Sequence, residues 1–523
     1  MHQSAFSYQK KIGGIIFGTV ILKIILSFFF ELGNDEVYYY TYAVQPDWNH
    51  FDHPGMVGWM IRVTTLNLQW VSELSMRIGA IIASAMATYI VFETGTLLKN
   101  EKAGFIAAIL YSLSIYTTII AGLFVLPDSP QLLFFTASIY LMVKWVVKPH
   151  LFHWGNWVTL GLLIGLATLS KIHGLYLWIG FGGFFLFHQP KALREKGVYL
   201  AILITAVIAS IILIWNIQND FITYQFHSKR VTHTGLSLDY FLQEIIGEFL
   251  YQNPLVYISC LIPLLKFSTL KKYFQSNSNG EHSKVLYLLL WLSIPLILTF
   301  WGLSLFNATL PHWTGPAFIA LFLIAGVYWS EHTLGIPKII QWAAGFLGIV
   351  MVCFLLLVYV FPKQLGSSSI NNLGEYNPIN DVTGWQYFES QFSSLVQKDK
   401  AEGKMNKQTF IVTHKWFPAG HLLFYVANPL QMPLIAIGSL SDVHKFAWLN
   451  NETNHSLHLG NDAYCIVPSN LPANPQQLYG AYFKEIQKPD TIALVTHGIT
   501  LRNFYVYRLK NCIQIPPVLV PKK

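Results

Sequence analysis

Apolar runs of about 20 residues recur along this chain, and each is long enough to cross a bilayer as a helix. Roughly eleven are legible, near 12–30, 76–98, 103–121, 128–147, 155–170, 173–188, 198–217, 248–267, 284–304, 313–330 and 336–361. Charged residues make up only 11% of the 523 residues, against about 25% in an ordinary soluble domain. So few charges cannot cover a water-facing surface. The chain is therefore read as a polytopic α-helical membrane protein, and a disordered chain or a coiled coil is excluded. Four Cys are too few for a disulfide scaffold. The first run has no small-residue cleavage site after it and reads as an anchor.

Basic residues set the expected orientation. One set of loops carries Lys10, Lys11, Lys99, Lys102, Lys144, Lys148, Lys191, Arg194, Lys196, Lys266, Lys271, Lys272, Lys284 and Lys338. The opposite set carries only Arg62, Lys171, Lys229 and Arg230. The first set, and the N-terminus with it, is expected on the cytoplasmic side. An odd span number then puts the C-terminus outside. The net charge of +8 thus marks topology, and no nucleic-acid partner is needed to explain it.

Composition changes near Gly366. Residues 1–361 are expected to form the membrane domain, with long outer loops at 31–75 and 218–247. Residues 362–523 are expected to form an extracytoplasmic α/β domain. Its β-rich runs lie at 409–414, 432–437, 491–496 and 503–508, and its helical runs at 416–427 and 475–487. Cys465 and Cys512 fall in this domain, where an oxidising compartment would permit a bridge.

The loop 31–75 is unusually polar. It reads Asn34-Asp35-Glu36-Val-Tyr-Tyr-Tyr40, then Asp47-Trp-Asn-His50-Phe-Asp52-His53-Pro54. Its acids are interleaved with aromatics, and the flanking stretches 36–44 and 55–70 look like amphipathic helices lying on the membrane surface. Acids pointing inward from such a loop would make a site floor. Asp128, in Pro127-Asp128-Ser129-Pro130, stands at the outer junction of two spans, where it either caps a helix or joins the site. Lys171 is the lone basic residue of its outer turn, and an ammonium there would suit a membrane-surface phosphate. His227, Lys229 and Arg230 form the densest outer basic cluster before the tail, suited to an anion clamp. No Walker A loop, GxGxxG, HExxH or GxSxG pattern occurs. An outward-facing site has no nucleotide pool, so no nucleotide cofactor is expected and an activated substrate would be lipid-carried. No internal repeat is evident, and the polar residues sit at the outer surface rather than at the midplane. Both features weigh against the alternative, a lipid or solute transporter or flippase. They leave an enzyme as the stronger reading.

These stretches resemble the signature of bacterial GT-C glycosyltransferases, with the protein O-mannosyltransferases and lipid A aminoarabinose transferases (glycosyltransferase family 39 and its relatives). The resemblance is carried by Asp35-Glu36-Val-Tyr-Tyr-Tyr, by Asp47 to Trp59, and by Pro127-Asp128-Ser129-Pro130. Gly165-Leu-Ala-Thr-Leu-Ser-Lys171, Ile214-Trp215-Asn216 and Pro311-His312-Trp313-Thr-Gly-Pro316 extend it over about the first 330 residues. In the tail, Asp381-Val-Thr-Gly384-Trp385 and Asn461-Asp-Ala-Tyr464 are its recognisable pieces.

The resemblance implies a multi-pass enzyme of the bacterial inner membrane with a periplasmic C-terminal domain. It would transfer a sugar from a polyprenyl-phosphate-linked donor to lipid A, another glycolipid or a protein, among membrane lipids, with inversion. Asp35 matches the family's first-loop catalytic acid, with Glu36 beside it, and Asp128 matches the second functional Asp. Lys171 matches a phosphate-contacting Lys, and Lys229, Arg230 and His227 match by region. Asp52 and His53 stand where some relatives bind a divalent metal, with His227 as a further expected ligand. His53 departs from the Lys common in the aminoarabinose branch.

Overall fold

The structure is a computed structural model. It describes the backbone of all residues except 1, 232–234, 276–280, 361–364, 453–456 and 521–523. Side chains of 2–7, 229–231, 281–283 and 452 are likewise outside the description. Two units emerge: residues 1–26 with 47–350, and residues 27–46 with 351–523. The segment 27–46 thus groups with the tail, where the sequence expectation had placed it in the membrane domain, as the end of the first span and the start of the loop 31–75.

In the larger unit every expected apolar run is helical, but not every one is a full span. Seven helices among the described residues are long and apolar enough to cross a membrane: Tyr8–Phe29, Glu73–Leu98, Asp128–Val147, Lys196–Gln218, Lys284–Ser304, Pro311–His332 and Lys338–Tyr359. Trp154–Ser170 and Ile172–His188 are shorter apolar helices. The run near 248–267 falls on two helices, Leu238–Tyr251 and Pro254–Leu265, bent by 101°. Hydropathy alone cannot register that break. Asn253 makes it, with a positive φ of 65° and a side chain that caps Leu255 N at 3.2 Å. Its amide also donates to the carbonyls of Leu113 and Ala343. Backbone groups freed in an apolar interior are thereby satisfied.

The run near 103–121 is also interrupted. Asn100 caps the helix Glu101–Leu113 by accepting from Ala103 N. The helix stops at Ser114 and continues as a π-turn, Tyr116–Ile120. Hydroxyls replace the missing backbone donors there: Thr117 bonds the carbonyl of Tyr111, and Thr118 that of Ser112 at 2.7 Å. The helix Phe318–His332 is buried through almost its whole length. Lys196–Gln218 leaves Leu203, Val207, Leu213 and Ile217 bare, as a lipid-facing helix would.

The smaller unit is built on a mixed sheet. Its strands are β1 (Thr409–Thr413), β2 (Leu434–Ala436), β3 (Asp462–Pro468), β4 (Phe483–Ile486), β5 (Asp490–Thr496) and β6 (Ile499–Cys512). The order is β2-β1-β3-β6-β4, with β5 also on β6. β1 is parallel to β2 and β3, whereas β3, β4 and β5 run antiparallel to β6. The sequence missed β3 and took β4 for part of a helix, which ends at Tyr479. β3 is buried on both faces, so it lacks the alternation that marks a half-exposed strand. Cys465 and Cys512 are free thiols. Cys465 pairs with Tyr507 and Cys512 with Phe483, so the sheet register keeps them apart.

The helix Trp385–Ala401 packs on this sheet. Phe388 stacks on Phe504 at 4.3 Å, and the buried Asp399 takes Arg508 through both oxygens, at 2.6 and 2.8 Å. Tyr464 donates to the same carboxylate at 2.9 Å. Asp399→Ala removes the buried partner of a buried guanidinium. The expected loss is about 3 kcal/mol, read as a lower denaturant midpoint of the tail's unfolding in the purified protein. Arg508 also reaches Asp490 at 2.6 Å, but that partner is half-exposed and compensates little.

Candidate functional site

Asp128 opens the helix Asp128–Val147, in its first turn, where the helix dipole favours negative charge. The turn before it is tied by Ser129, whose hydroxyl donates to the carbonyl of Phe124 at 2.9 Å and accepts from Leu126 N. Lys171 ends the helix Trp154–Ser170 in an extended conformation. Its N–H donates to Ala167 and its carbonyl accepts from Gly174 N and the Gln131 amide, so its backbone is pinned. From there the ammonium meets both carboxylate oxygens of Asp128, at 2.9 and 3.0 Å. Both side chains are almost completely buried. The π-turn supplies a third member: the Tyr116 hydroxyl donates to Asp128 at 2.7 Å. The Tyr116 ring lies on Gly315, where any side chain would collide with it.

Three histidines feel this pair's charges: His53, His173 and His312. His173 lies among aromatic rings, 5.1 Å from Phe300 and 6.0 Å from Trp313. Burial, with the Lys171 charge, pushes His53 down to about 4 against the opposing pull of Asp52 and Asp128, so it is neutral at pH 7. The outer loops pack together beside it. Asn49 bonds Thr223 at 3.1 Å, Phe51 packs on Phe226 at 4.6 Å, and the Trp215 indole donates to Asp47 at 2.7 Å.

The expected metal set does not assemble. His227 Nε2 donates to the backbone carbonyl of Asp52 at 2.8 Å, which commits that nitrogen, and its ring centroid is 6.1 Å from that of His53. Among the described residues no group of three or more His, Cys, Asp or Glu is placed to hold a metal ion. The described residues therefore do not fit such an ion. Lys229 and Arg230 lie on the helix Ile222–Val231, but their side chains are outside the described residues.

Asp35 and Glu36 belong to the other unit, on the helix Asn34–Val44. Expected on the membrane surface, this helix is instead buried from Glu36 to Ala43. Glu36, expected beside Asp35 as a second acid, is buried. Its carboxylate turns back to accept from Gly33 N at 2.9 Å and so caps the start of its own helix. Asp35 is exposed in the first turn. Of the cluster in the larger unit, the sequence singled out Asp128, Lys171 and His53, but not Tyr116, His173 or His312. His173 and His312 stood unused inside the quoted Lys171 and Pro311 stretches. Tyr116 had a fainter signal, the hydroxyl run Ser112, Ser114, Thr117 and Thr118 that breaks an apolar span.

Comparison with known proteins fits this geometry. Residues 52–215 match the family described as dolichyl-phosphate-mannose-protein mannosyltransferase. A lipid A galacturonosyltransferase, RgtD, of Rhizobium johnstonii is 25% identical over 340 residues, covering 63% of this chain and 67% of that protein. The fold is similar to that of ArnT from Cupriavidus metallidurans bound to undecaprenyl phosphate, with a TM-score of 0.61 at 14% identity, over 96% of this chain and 98% of that one. The apo form of the same ArnT gives 0.56 at 13% identity, over 95% and 98%. By motif and by relative the chain is similar to membrane glycosyltransferases of the protein-mannosyltransferase type, and its fold is the ArnT-like GT-C fold.

Proposed function

We propose that this protein transfers a sugar from a polyprenyl-phosphate-linked donor to lipid A or a related glycolipid, inverting the anomeric centre, at the periplasmic face of a bacterial inner membrane. The observation that carries the reading is the buried Lys171–Asp128–Tyr116 cluster at the ends of apolar helices. An ammonium held there by one carboxylate is a point charge ready for a phosphate. The ArnT of similar fold is bound to undecaprenyl phosphate, and the relative from Rhizobium acts on lipid A.

In this proposal the acceptor hydroxyl attacks the anomeric carbon, and Asp35 takes its proton. The bond from that carbon to the phosphate oxygen breaks, and the electron pair leaves with the polyprenyl phosphate. Lys171 turns from Asp128 to the developing charge and stabilises it. Asp128 and Tyr116 hold the ammonium in place before the donor arrives. A single in-line displacement accounts for the inversion. The N-terminus is assigned to the cytoplasm and the tail to the periplasm, as the basic loops direct.

The test uses purified protein with a panel of polyprenyl-phosphate sugars, galacturonic acid among them, and lipid A as acceptor. Free polyprenyl phosphate is expected only when one donor and the acceptor are both present. No release with any donor, together with lipid or solute movement in proteoliposomes, would replace the enzyme reading with a transporter.

A further inference from the structure

The tail motif Asp381-Val-Thr-Gly384-Trp385 takes no part in the chemistry proposed above, yet it is built into a dense cluster around Asn34, the residue before Asp35. His421 is fully buried. Its Nε2 donates to Asn34 Oδ1 at 2.9 Å. Its ring lies flat on the Trp385 indole, centroids 4.5 Å apart and 6° from parallel. The buried guanidinium of Arg502 covers Trp385 at 4.8 Å and Phe504 at 4.4 Å. It also donates to the carbonyls of Asn380 and Thr383, at 3.0 and 2.8 Å. The turn so gripped carries Asp381, whose carboxylate also bonds the Asn34 side chain.

Further ties hold the same segment. Glu31 accepts from Trp385 N at 2.7 Å and Gln386 N at 3.0 Å, capping that helix. Its own N–H donates to Val382. Leu32 N donates to the Tyr425 hydroxyl at 2.6 Å. Gly384 starts the helix with φ of 89°, a conformation glycine adopts without strain. Burial and the Arg502 charge hold His421 well below the usual imidazole range. It is a neutral donor with a fixed tautomer, and its bond to Asn34 is constant across physiological pH.

We propose that the tail unit is a positioning device for the acid at Asp35, with His421 and Asp381 fixing Asn34 between them and the Trp385–Arg502 stack fixing His421. His421 is a positioning residue: it acts through Asn34 and touches no substrate. The inference rests on the role given to Asp35 in the proposed function.

The experiment uses the full chain with the donor-release assay described above. Asn34→Ala breaks the hydrogen bonds and leaves the stack alone, and His421→Ala removes both. In each, kcat is expected to fall about a hundredfold while KM for the donor stays within about twofold. His421→Gln keeps an N–H at nearly the same reach and is expected to recover most of the loss. Unchanged kcat in both alanine variants, or a loss confined to KM, overturns the proposal. A second measurement does not depend on turnover. With the exposed Cys353 replaced by Ser, a nitroxide is placed on Asp35→Cys. Its spectrum is expected to be immobilised, and to sharpen when Asn34→Ala is added. An unchanged spectrum again overturns the proposal. If Asp35→Asn proves fully active, the base assignment fails by itself, and the spectrum still decides whether the tail fixes this position.

Discussion

Asp35→Asn is expected to lower turnover by about 10²–10⁴-fold, the range that a positioned general base contributes. The substitution keeps the size of the side chain and removes its charge and its capacity to take a proton. Asp35 is exposed in the first helical turn, and it is Glu36 that bonds the Gly33 N–H at the start of that helix. The variant should therefore fold and insert as the wild type does. Donor KM is expected to change little, since an acid that works on the acceptor proton leaves the phosphate contacts untouched. A variant with normal turnover would remove Asp35 from the mechanism. Glu36→Gln makes the contrast. It weakens the acceptor for Gly33 N, and its expected cost is helix-cap stability of about 1 kcal/mol rather than turnover.

The comparison of these adjacent acids shows where sequence reasoning reached and where it stopped. The spans were legible because a bilayer demands long apolar runs, a signal that no packing detail overrides. Asp128 and Lys171 were legible because ionisable groups at bundle depth are costly and call for a partner. Their direct pairing was not, since 43 positions separate them along the chain and only the helix packing brings them together. Asp35 and Glu36 carry the same charge in the same motif. One bonds the Gly33 N–H at the start of its own helix, and the sequence recorded them as a single acidic patch. The burial of the helix Asn34–Val44 was hidden for a related reason. Its tyrosines fit a membrane interface as well as they fit a protein core, and the residues that cover them, such as Trp416 on Tyr38 at 5.2 Å, lie in the tail.

The Lys171–Asp128 pair separates stability from chemistry in a way that can be measured. Asp128→Ala leaves a buried ammonium without its carboxylate, and the expected cost is about 3–5 kcal/mol, read as a lower unfolding midpoint in detergent. Lys171→Met leaves the reverse, a buried carboxylate with only the Tyr116 hydroxyl of its described partners, and should cost a similar amount. The double variant, Asp128→Asn with Lys171→Met, has no buried charge to strand. Apolar or neutral replacement of a whole buried pair is often close to neutral, so its midpoint is expected to return to within about 1 kcal/mol of wild type. Turnover should not return with it. The leaving phosphate would lack its counter-charge, and removal of one such donor costs about 10²–10³-fold in rate. A double variant that regained both stability and activity would show that the pair serves the fold alone. One that regained stability but stayed inactive would assign the pair to the reaction, because the structural defect common to both single variants would have been removed.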